Sequence, residues 1–135
     1  MFVIQNYEFL TSTLLVSFYF FRWGALCLPN DNGNVMVMGG LDPFFVPHSN
    51  VDILDVSDMR WSKGPSLAWP QSGAVGMITS RGATIFSGYS GLGMERHIAT
   101  LDQDTYTWHK WDQTLQVSRI SGAAVAIPSD AYDIC

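Results

Sequence analysis

Two stretches of the chain, NVDILDVSDMRW at 50–61 and HIATLDQDTYTW at 97–108, each carry an Asp and a Trp six residues apart, and no other feature constrains the fold as tightly. Asp55 and Asp102 lie 47 positions apart, as do Trp61 and Trp108. Ahead of them, Gly24 and Gly33 recur 49 positions on as Gly73 and Gly82, and Gly122 follows Gly73 by the same interval. Landmarks that keep one order at nearly one period indicate a structural unit repeated along the chain, each copy stacked on the next.

Each unit divides into four strand candidates bounded by turn residues. The first, at 24–28, 73–79 and 122–127, is small and apolar throughout and suits an interior position with neighbours on both faces. PNDNG and TSRG then make tight turns, with Gly33 and Gly82 free to take positive φ. The second strand follows at 35–38 and 83–86, and the third at 51–54 and 98–101. DVSDM and DQDTY turn the chain again, and Asp55 and Asp102 are placed to cap these turns by accepting backbone N–H bonds. The fourth strand opens with Trp61 or Trp108. No segment keeps a 3.6-residue period, so the class is all-β: two four-stranded antiparallel units at 22–70 and 71–119, the first strand of a third at 120–128, and a tail at 129–135.

An apolar fraction of 47% with 14% charged residues fits a packed chain. A formal charge of −5 and seven scattered Lys and Arg weigh against nucleic acid as partner, and no polybasic stretch is present to hold an anionic membrane. Two cysteines, Cys27 and Cys135, are too few for a disulfide framework and form no metal motif. Two free thiols, or one bridge in an oxidising compartment, both fit.

Residues 9–21, FLTSTLLVSFYFF, are 13 uncharged positions in a row. The run is shorter than the roughly 20 residues a membrane-spanning helix takes, but matches a signal-peptide core in length. Against a signal, Glu8 precedes it, no Lys or Arg does, and no small-residue cleavage site follows. Three readings stay open for 1–21: a signal or anchor, a misjoined gene start, or an apolar strand or helix of the fold. Membrane association is expected only under the first.

A four-stranded unit of this period is a mark of propeller blades, and the sequence resembles the kelch-repeat β-propellers. The matching residues are VMVMGG with Gly39 and Gly40, ILDVSDMRW with Asp55 and Trp61, TLDQDTYTW with Asp102 and Trp108, and the SGA starts at Ser72 and Ser121. The second unit departs from the pattern with Ser87-Gly88 in place of two glycines, and Leu54 and Leu101 stand where the family has Tyr. The resemblance implies kelch-type blades: two complete and the first strand of a third. Closed propellers take about 4–8 blades, so it also implies an open or partial ring, completed by a longer chain or by an oligomer.

No catalytic constellation emerges. Gly88-Tyr89-Ser90-Gly91 lacks the spacing of a nucleophile elbow, and GLGMER lacks the last glycine of a dinucleotide loop. His48, His97 and His109 have no ligand spacing. Two acidic residues per turn fall short of the roughly six to eight oxygens that calcium takes. Galactose oxidase is an enzyme related to the kelch type, but its Tyr, His and modified-Cys copper ligands find no counterpart here.

The resemblance therefore implies a non-catalytic scaffold for protein–protein interaction, without cofactor or metal, working through loops between second and third strands. Those loops are LDPFFVPHSN at 41–50, with two aromatics between prolines, and YSGLGMERH at 89–97. Phe44, Phe45, His48, Tyr89, Glu95 and Arg96 are the candidate partner-binding residues. The alternative for Phe44 and Phe45 is packing onto their own unit. Gly24, Gly39, Gly40, Asp55, Trp61, Gly73, Gly88, Asp102, Trp108 and Gly122 are assigned to the fold. Two other readings are carried: part of an extracellular kelch-type protein, or of a galactose-oxidase-like enzyme. Cytoplasmic and secreted locations both fit.

Overall fold

The computed structural model describes residues 22–125. Eight strands run in order: β1 (Leu26–Pro29), β2 (Val35–Met38), β3 (Val51–Asp55), β4 (Arg60–Lys63), β5 (Val75–Thr79), β6 (Gly82–Tyr89), β7 (Met94–Asp102) and β8 (Thr107–Thr114). They form two four-stranded antiparallel sheets, β1-β2-β3-β4 and β5-β6-β7-β8, each a meander of neighbours in sequence, and the described residues contain no helix.

Turn chemistry sets the register. In the first unit, the Asn30 side-chain carbonyl accepts from the backbone N–H groups of Asn32 and Asn34 at 3.0 and 2.9 Å, and Gly33 takes a φ of 78°. This closes the turn that pairs Pro29 with Val35. The second unit makes the same connection with Ser80 and Arg81 alone, pairing Thr79 with Gly82. Between third and fourth strands, Asp55 Oδ1 accepts from the Ser57 N–H (2.8 Å) and hydroxyl (2.6 Å), while Asp102 Oδ1 accepts from the N–H groups of Asp104 (3.0 Å) and Thr105 (2.8 Å). Both turns end on a left-handed residue, Met59 (φ 57°) or Tyr106 (φ 53°), which delivers the Trp two residues on into the outer strand. These bonds to the charged carboxylates lower both pKa values: Asp55 chiefly through the Ser57 hydroxyl, Asp102 chiefly through the Thr105 N–H.

The core lies between the sheets. Met36 and Met38 of β2, with Val51 and Ile53 of β3, pack with Ala83, Ile85, Ala99, Leu101 and Trp108 of the second sheet. Large apolar side chains contribute about 1.5–3 kcal/mol each when fully buried, and this shared layer joins two sheets that would each be marginal alone. Gly76 of β5 leaves the space that Leu26 and Leu28 of β1 occupy; a Cβ there would lie 2.5 Å from Leu26 Cδ2. At the outer strands the Trp108 indole donates to the Pro65 carbonyl at 2.9 Å, tying β8 to the segment after β4.

The joint between units repeats in the backbone. Gly24 (φ 64°) and Gly73 (φ 63°) are both left-handed, and the Gly73 N–H donates to the Gly24 carbonyl at 2.8 Å. The Ser121 N–H donates to the Gly73 carbonyl at the same 2.8 Å, and Ser121 is left-handed at φ 54°. Ser121, one residue before Gly122, is therefore the backbone counterpart of Gly73. Likewise the Gly40 N–H donates to the Gln71 carbonyl (2.8 Å) and the Gly88 N–H to that of Arg119 (3.2 Å).

Several boundaries differ from expectation. First strands begin at Leu26 and Val75 rather than at Gly24 and Gly73, because the backbone groups of these two left-handed glycines serve the joint between units. The first strand anticipated at 122–127 is not formed over 122–125, and 126–127 lie outside the described residues. β1 takes its ladder from β2 of its own unit, and 122–125 have no such neighbour among the described residues. The 89–97 segment, expected as a loop, is mostly hairpin: Gly88 pairs with Glu95 and Tyr89 with Met94 beyond a bulge after Phe86. Residues 1–21, with the proposed signal-like or misjoined segment, and the 129–135 tail with Cys135 also lie outside the described residues.

Candidate functional site

All connections from second to third strands emerge at one end of the sheets, and there the two units diverge. In the first, Pro43 and Pro47 remove backbone donors, so the chain forms a side-chain-capped turn instead of a hairpin. Asp42 Oδ1 accepts from the N–H groups of Phe44 (2.8 Å) and Val46 (2.9 Å), and the Phe45 N–H donates to the Asp42 carbonyl at 3.0 Å. Phe45 is held left-handed at φ 61°, a conformation that costs a bulky residue on the order of 1–3 kcal/mol and persists where surrounding bonds over-determine it.

This turn displays its aromatics outward. Phe44 is 85% exposed and Phe45 62%. Phe45 meets Trp23 edge-on, ring centroids 5.2 Å apart, and Trp23 is itself exposed. In the second unit the Ser90–Gly93 turn lifts Leu92 clear of the surface at 99% exposure, with Met94 exposed beside it. The two loops touch: a Cβ on Gly91 would sit 3.2 Å from Pro47 Cγ. Trp23, Phe44, Phe45 and Val46 on one side and Leu92 and Met94 on the other are therefore exposed apolar side chains carried at or beside two touching loops, and exposed apolar surface of this kind can mark an interaction site.

The expected binding residues divide into display and support. Phe44 and Phe45 are both exposed, and Phe45 also packs edge-on against Trp23 of its own unit. Tyr89, at 37% exposure, donates its hydroxyl to the Gly91 carbonyl at 3.2 Å. His48 is half-buried behind the turn; its N–H donates to the Gly40 carbonyl (2.9 Å), and its Nε2 lies 3.6 Å from Asp42 Oδ2. Glu95 accepts from the Ser90 hydroxyl (2.7 Å) and faces His97 Nδ1 (3.1 Å), bracing the second hairpin. Arg96 donates to the Gln116 carbonyl at 3.4 Å. Trp23, Val46, Leu92 and Met94 were not anticipated from sequence, although Leu92 sits between two glycines, where an apolar residue has no strand core to enter.

Elsewhere, Cys27 occupies an exposed position on β1 and is a free thiol whose pKa is pushed up by desolvation. A shallow cleft of about 370 Å³, lined in part by Val75, Phe86, Val117 and Gly122, opens on the second sheet away from the first. Among the described residues no group of three His, Cys, Asp or Glu side chains is placed to hold a metal ion. No protein-family model and no curated protein sequence matches the chain.

Proposed function

We propose that the chain is a run of kelch-type β-propeller repeats acting as a non-catalytic scaffold, which binds a protein partner through its apolar loop end. The observation that carries this reading is the group of exposed apolar side chains at two touching loops, Trp23, Phe44, Phe45 and Val46 with Leu92 and Met94, braced by Asp42 and Glu95. Strands consumed in packing leave loops as the place for recognition, and rigid aromatic anchors are the residues that dominate protein interfaces.

The propeller part of the proposal rests on the joint. A joint made between β1 and β5 begins again at Ser121 and Arg119, so a further unit would continue over the second sheet and fill the cleft beside Val75 and Phe86. Such a unit would come from a longer chain or another copy, since closure takes about 4–8 blades.

The test compares proteins retained by the intact chain with those retained by Phe44→Ser/Phe45→Ser and by Val56→Ser, a control at the opposite, turn end of the sheets. A protein lost with the loop variant, kept with the control, and confirmed by direct binding of the purified pair supports the proposal. Binding that ignores the loop substitutions would remove it.

A further inference from the structure

Resting on the reading of a joint that continues over the second sheet, we propose that a second copy of the chain docks there head to tail. It lays the outer face of its first sheet on the outer face of this copy's second sheet, and Trp111 is the latch it lifts. The strand registers put the faces in correspondence. The rows Leu26–Met38–Val51 and Leu28–Met36–Ile53 match Val75–Phe86–Ile98 and Met77–Thr84–Thr100 of the second sheet. The first set is buried against the second sheet, so the second set lies on the face turned away from it. By the same rows, Val35, Leu54 and Trp61 on the outer face of the first sheet stand where Ala83, Leu101 and Trp108 enter the joint. A second copy thus offers the vacant face the same Leu and Trp that already fill the joint.

The other exchanges compensate in size. In the joint, a Cβ at Gly76 would lie 2.5 Å from Leu26 Cδ2. The docking face carries Cys27 at the Gly76 position, and the face it meets has Val75, which lacks that Cδ, in place of Leu26. Thr84 and Thr100 are smaller than Met36 and Ile53, while Val35 and Asp52 are larger than Ala83 and Ala99. Phe86 for Met38 and Val37 for Ile85 reverse both signs. Volume lost by one face is gained by the other, as a close-packed contact requires. Asp52 brings its own counter-charges, Arg22 and Lys63, so no unpaired carboxylate enters.

One side chain stands in the way. In the joint, Trp108 reaches Pro65, the residue after Gly64. The corresponding step brings Trp61 of the second copy to Asp112, the residue after Trp111. Gly64 has no side chain there, whereas the Trp111 indole donates to Thr100 Oγ1 at 3.0 Å, with the Arg81 guanidinium 5.1 Å over its ring. Thr100 in turn bonds Thr84 at 2.9 Å. Docking therefore exchanges this closed arrangement for the contact with Trp61. The two faces used are different, so each docked pair keeps one of each vacant and closes into a ring or continues as a filament.

The experiment uses the full chain. Leu54→Lys blocks the outer face of the first sheet and Met77→Lys that of the second, each at a half-buried position. Analytical ultracentrifugation should show each variant monomeric alone and a one-to-one dimer on mixing, because the mixture keeps one intact face of each kind. Trp111→Gly in the Leu54→Lys member, matching Gly64, should tighten that dimer about tenfold, the factor for a latch closed about nine-tenths of the time. Melting curves check folding, and Leu54→Gln or Met77→Gln replaces a Lys variant that melts below the natural chain. No dimer in the mixture, with Trp or Gly at position 111, overturns the inference. So does a dimer that either variant forms alone as readily, or one that Trp111→Gly leaves unchanged or weakens. If no dimer forms but the natural chain retains a different protein that Met77→Lys releases, the inference falls and the continuing joint stands. If no dimer forms and nothing is released, both fall.

Discussion

Trp108 of the outermost strand of the second sheet donates its indole N–H to the carbonyl of Pro65, 2.9 Å away in the segment that leaves the first sheet. This single bond spans 43 positions of sequence, and its ring fills the apolar layer shared with Met36, Met38, Val51 and Ile53. The Trp of the repeated Asp–Trp pattern thus packs not only its own unit but the joint to the preceding one.

Trp108→Ala should therefore destabilise by about 3–5 kcal/mol, the range for truncating a large buried aromatic. Trp108→Phe keeps most of the packing but leaves the Pro65 carbonyl without its donor, at about 1–3 kcal/mol. Equilibrium unfolding in urea measures both, and a Trp108→Phe variant as stable as the natural chain would contradict the assignment of the bond.

The two units solve one backbone problem differently. Gly39 (φ 61°) and Ser87 (φ 60°) occupy equivalent left-handed positions. A Cβ on Gly39 would collide with the Gln71 carbonyl. In the second unit the Ser87 hydroxyl accepts from the Arg119 N–H (2.7 Å) and has its one proton to donate to either of two carbonyls, that of Arg119 (2.5 Å) or that of Glu95 (2.6 Å). Gly39→Ala should cost at least about 2 kcal/mol through collision and strain, and Ser87→Ala about 1–3 kcal/mol through unmade buried bonds. Thermal unfolding of the two variants checks both.

Acid should weaken the turns. Asp55 and Asp102 have folded-state pKa values below the ordinary carboxylate value, because their carboxylates accept bonds from Ser57 and Thr105. A lowered folded pKa means the unfolded chain binds protons first as pH falls. The contribution is therefore complete above the unfolded value, near pH 3.9 for Asp, and is lost as pH drops through the folded values beneath it. The melting temperature of the natural chain should fall across that acid window more steeply than that of Asp55→Asn/Asp102→Asn. Parallel curves would count against the capping bonds.

Display and support at the loop end should separate. Phe44→Ser removes a side chain that is 85% exposed and should leave stability within about 0.5 kcal/mol while abolishing partner binding. Asp42→Ala removes the acceptor for Phe44 and Val46 and should cost about 0.5–2 kcal/mol, the range of a lost cap, and Asp42→Asn, which keeps a side-chain carbonyl, should restore most of it. Melting curves and binding to an identified partner give the two readouts.

What could be read from sequence is what local chemistry fixes. An Asp accepting from residues two or three on, followed by a left-handed residue and a Trp, is complete within eight positions, so the pattern at 55–61 and 102–108 carries its own geometry. The second strands are equally local, since Val35–Met38 lies between a capped turn and two glycines. Less was legible where the determining contact is remote. Ser87 accepts a left-handed backbone because Arg119 satisfies it from 32 positions away. The hairpin at 88–95 extends because a bulge after Phe86 re-aims β6. Nothing near Leu92 announces that its loop abuts Pro47. The loop-end surface is assembled by the joint between sheets, and its members share no motif.

Native-state amide exchange in Trp108→Phe tests the central claim, that the two sheets are one body whose joint positions the loop end. The account predicts that Val51 and Ile53, in the first sheet, lose protection together with Leu101 in the second. Loss confined to the second sheet, with Val51 and Ile53 exchanging as in the natural chain, would contradict it.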